Sequence, residues 1–181
     1  MSVLFDTSVL LLVIFPNALP PIDPATGSLV EHPKQRVDYL IRKLSKTRTR
    51  VLIPSPVLSE LLVYAGKAAN EYVQKLQEPP FRIVPFDTRA AIECADAMHR
   101  HGVKGKGKDN PRAKVKFDRQ IVAIAQVERV KAIYSDDSDI FSYGTQAAIQ
   151  VIRSHELELD PEDRQHKLDL SADEELEGAS P

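Results

Sequence analysis

Residues 2–15 read SVLFDTSVLLLVIF, an apolar run broken by a single acid, Asp6. A carboxylate buried in such a run without a partner costs several kcal/mol. Asp6 therefore lies where the run surfaces, or beside something cationic. Residues 2–5 have the character of a short buried strand, and apolar density resumes over 9–15 as a helix. A short apolar strand followed by a helix is the repeating unit of a parallel sheet covered on both faces.

The same alternation continues outward. Residues 16–33 hold five prolines and form an irregular surface excursion. Over 34–46, Val37, Leu40, Ile41 and Leu44 recur at spacings of three and four, the pattern of an amphipathic helix. VLIP at 51–54 is a second strand, and Pro54-Ser55-Pro56 ends it and opens a helix through VLSELLVYAGK, with another over 68–77. FRIVPF contains a third strand, and Asp87 is placed to cap TRAAIECADAMHRH. The loop GVKGKGKDNPRAK leads into the helix VKFDRQIVAIAQVER. KAIYS is a fourth strand, SDIFSYGTQA a short helix and AIQVI a fifth strand. The expected class is α/β, a three-layer α/β/α domain on a central parallel sheet of about five short strands. It spans 1–155, with the proline-rich insert at 16–33 and a basic loop at 102–115. From 156 the chain carries ten acids against two bases, and an acidic, disordered tail is expected over 156–181.

Bulk properties narrow the function. The chain has 181 residues, 43% hydrophobic and 28% charged, which suits one globular domain with a real core. A net charge of -2 excludes a generally basic nucleic-acid binder but not a locally basic one. The single cysteine, Cys94, excludes a disulfide framework, fits a reducing cytosol, and reads as a small core residue on a helix. The apolar N-terminus lacks a basic leader and a small-residue cleavage site, and no stretch reaches the roughly 18–20 apolar residues of a membrane span. A cytoplasmic protein without membrane contact is expected. GKGK lacks the spacing of a phosphate-binding P-loop, no Cys/His spacing suits zinc, and Ser55 and Ser59 have no triad partners. His99 and His101 read as favourable charges at a helix C-terminus.

The acids are more informative. In a parallel α/β sheet, function collects at the C-terminal ends of the strands. Asp6 directly follows the first strand, and Glu60 lies about a turn and a half into the helix after the second. Asp118 falls in the first turn of the helix before the fourth strand, which Asp136, Asp137 and Asp139 follow. Carboxylates converging from distant sequence repel unless a cation joins them, and an all-oxygen set suits Mg²⁺ or Mn²⁺. Such an ion activates water and stabilises phosphoryl charge. Helix capping is the plainer reading for these acids, and it is preferred for Asp136. The stretch from Arg100 to Arg119 carries eight Lys or Arg, both ends included, and is suited to gathering a phosphate backbone.

VLFDTSVLL, SPVLSELL, KFDRQIVAIA and IYSDDSDIF, in that order, resemble the PIN-domain family of metal-dependent ribonucleases, closest in pattern to VapC-like toxins of toxin–antitoxin pairs. The resemblance covers about residues 2–152. It implies that Asp6, Glu60 and Asp118 are the first three acids of the site. Asp137 is then the fourth and Asp139 an auxiliary ligand, although the doubled acid leaves open which of Asp136, Asp137 and Asp139 ligate. Ser135 stands in the family's threonine position, Ser8 matches the small hydroxyl residue after the first acid, and Asp136 is supporting.

The implied activity is endoribonuclease cleavage of RNA phosphodiesters. Mg²⁺ or Mn²⁺ would be held by the acids, and Lys104, Lys106, Lys108, Arg112, Lys114 and Lys116 would contact the RNA backbone. A homodimer and a small antitoxin partner are implied if the chain is a toxin. The alternative is a non-catalytic PIN-like module that binds RNA or protein. A haloacid-dehalogenase-type phosphohydrolase is disfavoured, because its second Asp is replaced by Ser8.

Overall fold

The structure, a computed structural model, describes residues 1–15, 17–102 and 112–162, with the side chains of 112 and 113 outside the described set. β1 (Ser2–Phe5), β2 (Arg50–Pro54), β3 (Phe81–Val84), β4 (Ala132–Tyr134) and β5 (Gln150–Ile152) form one parallel sheet in the order β3-β2-β1-β4-β5. The most apolar strands take the middle. Val3, Leu4 and Phe5 of β1, Val51, Leu52 and Ile53 of β2, and Ile133 of β4 are all buried. Strands covered on both faces need no polar alternation, which is why these read as continuous apolar runs.

Helices α1 (Thr7–Ile14), α2 (Pro33–Lys46), α3 (Ser55–Ala65), α4 (Ala69–Lys75), α5 (Thr88–His101), α6 (Arg112–Val127) and α7 (Ser138–Gln146) flank the sheet and complete the three layers. Asp87 caps α5 as expected, accepting from Ala90 N at 2.9 Å, and Cys94 is buried on that helix. Two helices begin earlier than the apolar pattern indicates. α1 starts at Thr7, directly behind Asp6, and α6 starts at Arg112, so Asp118 lies in its second turn and not its first. Gly66 and Lys67, expected to end one helix, and Ala68, expected to open the next, instead form a 3-10 turn that joins α3 to α4.

The tail expected from 156 does not begin there. Ser154–Glu156 form a 3-10 turn, Leu157 is buried, and its carbonyl accepts from Arg36 of α2. Glu158 pairs with Lys43 at 2.8 Å, and Asp160 pairs with Arg42. In ELELD the acids alternate with leucine, so Leu157 can turn inward while its acidic neighbours meet the basic side of α2. The remainder of the tail, 163–181, lies outside the described residues, as does most of the basic loop, 103–111. Among the described residues, no helix is long and apolar enough to cross a membrane.

Candidate functional site

Asp6 sits where β1 hands over to α1. Its backbone N–H donates to Tyr134 O at 3.0 Å, which extends the β1–β4 ladder by one step. Its side chain is buried and held by two hydroxyls: Oδ2 accepts from Ser135 Oγ at 2.8 Å and from Ser8 Oγ at 3.1 Å. Each hydroxyl in turn accepts a backbone N–H from the segment after β4. Asp137 N donates to Ser135 Oγ at 3.1 Å, and Asp136 N donates to Ser8 Oγ at 3.0 Å. The two serines thus fasten the first acid to the turn that carries the last ones. Burial pushes the Asp6 carboxyl above the ordinary carboxylate range; the serine bonds oppose this, and the nearby Asp137 charge adds to it.

Asp118 of α6 and Asp137 and Asp139 at the start of α7 bring one carboxylate oxygen each within 4.8 Å of one another. Lys114 stands one helical turn before Asp118, and its Nζ donates to all three, at 3.0 Å each. Asp137 divides its oxygens: Oδ1 caps α7, accepting from Asp139 N at 2.6 Å and Ile140 N at 3.3 Å, while Oδ2 faces Lys114. Burial raises Asp118 to about 6; Lys114 opposes the rise, and the charges of Asp137 and Asp6 reinforce it. For Asp137, burial is outweighed by Lys114 and the cap amides, so its carboxyl lies below the ordinary value. Lys114 is held well above an ordinary lysine, its desolvation overcome by the three carboxylates.

Glu60 of α3 reaches the same end of the sheet but not the trio. It accepts from Thr7 Oγ1, the residue beside Asp6. Asp136 is not the cap that sequence indicated. Asp137 caps α7, while Asp136 Oδ1 accepts from Ser154 N at 2.9 Å and Oδ2 accepts from Ser154 Oγ. Lys114, read from sequence as an RNA contact, points into the acids. Lys116 is exposed on α6. Lys104, Lys106, Lys108 and the side chain of Arg112 lie outside the described residues.

Two side chains escaped sequence reading. Thr7 ties Glu60 to the first strand end. Arg119, next to Asp118, is buried, with its guanidinium 4.2 Å above the Tyr143 ring and Nη2 donating to Gln146 Oε1 at 3.1 Å.

The donor set fits a hard divalent cation. It is all oxygen, it comes from two elements fixed by packing, and it already converges on a positive charge, the Lys114 ammonium standing where an ion would be drawn.

The family model for the PIN domain matches residues 28–145. No curated protein matches the chain in sequence. Among solved structures, a chain of the VapBC2 complex from Rickettsia felis, bound to a DNA fragment from their promoter, superposes with a TM-score of 0.54 at 15% identity, covering 84% of this chain and 98% of that one. A chain of DNA-bound VapBC from Salmonella typhimurium gives 0.52 at 15% identity, covering 85% and 98%. A chain of a toxin–antitoxin complex from Klebsiella pneumoniae gives 0.50 at 18% identity, covering 86% and 99%. At these identities the likeness is one of fold.

Proposed function

Because the chain belongs to the PIN-domain family, we propose that it is a cytoplasmic, divalent-metal-dependent endoribonuclease that hydrolyses RNA phosphodiester bonds, working as the toxin of a toxin–antitoxin pair. The observation that carries this reading is the convergence of Asp118, Asp137 and Asp139 on one cation beside the buried Asp6. Asp118, Asp137 and Asp139 would hold Mg²⁺ or Mn²⁺, with Asp6 and Glu60 completing the anionic wall. When bound, the ion supplies Lewis acidity, making water nucleophilic at neutral pH and offsetting charge on the phosphoryl oxygens.

The chain's own groups do the rest. Ser8 and Ser135 hold Asp6 in one orientation, and the α7 cap fixes Asp137. Without an ion, burial lifts the Asp118 carboxyl to about 6, so an ion held there would displace its proton. Lys116 and the basic stretch 103–112 would meet the RNA backbone. A homodimer and a small antitoxin that covers the acidic centre follow from the toxin reading.

One observation favours a second reading, a non-catalytic PIN-like module: Lys114 already satisfies the three carboxylates without any ion. Cleavage of mixed structured and single-stranded RNAs with Mg²⁺ or Mn²⁺ separates the two. Activity that vanishes with EDTA and in Asp6→Asn and Asp118→Asn is expected of the nuclease. RNA binding without cleavage, and without any gain of stability from metal, would leave the module.

A further inference from the structure

A parallel sheet has two unlike ends, and the acids of the candidate site occupy the one where strands end. At the other end Arg50 opens β2, Arg82 is the second residue of β3, and Lys131 immediately precedes β4. Backbone pairing sets them close together. Arg50 N donates to Met1 O at 3.1 Å, Lys131 N donates to Ser2 O at 2.9 Å, and Arg82 is in register with Leu52.

Arg48 and Arg129 join from the helix ends. Each follows its helix, α2 or α6, in the left-handed conformation, with φ of 52° and 51°. Ala148 takes the same backbone after α7, so the turn itself is general. What distinguishes these two is a long cationic side chain where glycine is the favoured residue.

Arg48, Arg50, Arg82, Arg129 and Lys131 line a cleft of about 440 Å³ in which Glu128 is the one acid among the described residues. All five are exposed, and none of their side chains has an ion pair or hydrogen bond among the described residues. The three arginines nearest β2 also line an adjoining opening of about 470 Å³, floored by Pro79, Pro80 and the half-buried Phe81. Four of the five cations are arginines, whose planar forks match phosphate oxygens, and the half-buried Phe81 lines the adjoining opening.

We propose that this cleft is a second nucleic-acid contact, taking the phosphates of a single-stranded RNA with a base against Phe81. It lies about a strand length, roughly 17 Å, from the acidic centre, so RNA held there is a flanking segment and not the scissile bond. Binding at the cleft does not depend on the nuclease reading.

The test is anisotropy of a labelled single-stranded oligouridine with the full chain in EDTA, comparing wild type with the Arg48→Gly/Arg129→Gly double variant. Glycine relieves both left-handed positions, so the melting temperature should hold or rise, and lost binding then cannot be ascribed to unfolding. Affinity at low salt should fall about fivefold or more, and the slope of log Kd against log salt by about 1.4, two contacts at about 0.7 each. Phe81→Ala should weaken binding with the slope unchanged.

Equal affinity and slope in wild type and the double variant would overturn the proposal. So would duplex DNA bound as tightly as oligouridine, or arginine-dependent binding of a peptide of residues 163–181 in place of RNA. Arginine-dependent RNA binding by a protein that cuts nothing would sink the nuclease reading and leave this one standing.

Discussion

At the scale of single residues, the site is governed by one lysine among three carboxylates. Lys114 both neutralises the cluster and competes for it. Lys114→Met should therefore destabilise the metal-free protein by roughly 1–2 kcal/mol, a modest figure because the ammonium is partly exposed and screened. The same change should tighten Mn²⁺ binding, and urea unfolding in EDTA with calorimetric titration reads both effects. Asp118 sets the pH dependence. Its folded value of about 6 lies above the 3.8 of an ordinary aspartate, so the folded state binds the proton more tightly. Its contribution is fully present below about 4 and is lost as pH rises through 6, roughly 1–3 kcal/mol in all. Buried Asp6 acts in the same direction. Metal-free wild type should accordingly be more stable to urea at pH 5 than at pH 7, and Asp118→Asn should flatten that difference. Asp6 was legible in sequence because it interrupts an apolar run, and Asp118 because KFDRQIVAIA resembles a family motif on the helix before the fourth strand. Lys114 was not, since it lies in a stretch of eight cations that reads as solvated, although its four-residue spacing to Asp118 was there to be read. Which of two adjacent acids caps α7 depends on where β4 ends, and sequence does not set that boundary to one residue.

At the scale of elements, the strand–helix alternation was readable because buried parallel strands are uniformly apolar, as VLF, VLI and AIY show. Helix starts were less so. Arg112–Lys114 continues α6 upstream of its apolar face and gives no periodic signal. The boundary near 156 was missed for a related reason: a single inward Leu157 among acids is too little apolar surface to stand out. What holds that segment is specific. Asp136 accepts both the N–H and the hydroxyl of Ser154. Ser154→Ala should cost roughly 1 kcal/mol and loosen amide protection from 154 to 157, measurable by hydrogen exchange. A tighter constraint joins α7 to β5. A Cβ on Gly144 would overlap Val151 Cγ2 and lie 3.5 Å from Ile149 O. Gly144→Ala should destabilise by roughly 1–3 kcal/mol despite alanine's better helix propensity, and urea unfolding would register it. Because α7 begins at Asp137 and Asp139, that strain would also loosen metal binding, a coupling that a local packing fault elsewhere would not produce.

At the scale of the whole molecule, a net charge of -2 conceals a polarised sheet, with the site's acids where strands end and, where they begin, arginines without side-chain partners among the described residues. The acidic end is the electrostatically costly one, since burial and mutual repulsion both press on Asp6 and Asp118. A divalent ion would remove both penalties at once, and it would bind only where packing has already assembled the carboxylates. Ligand that binds the folded state alone stabilises by about 2.7 kcal/mol at a hundredfold excess over Kd. For a domain of this size that is a rise of roughly 5–10 °C in melting temperature. Mg²⁺ or Mn²⁺ should produce such a rise at pH 7, and a smaller one at pH 5, where protonated Asp118 competes with the ion. A rise that persists unchanged in Asp118→Asn would place the ion among scattered surface acids instead. The loss of the rise in that variant, with the fold intact by circular dichroism, would tie the stability of the whole sheet to the charge balance at its acidic edge.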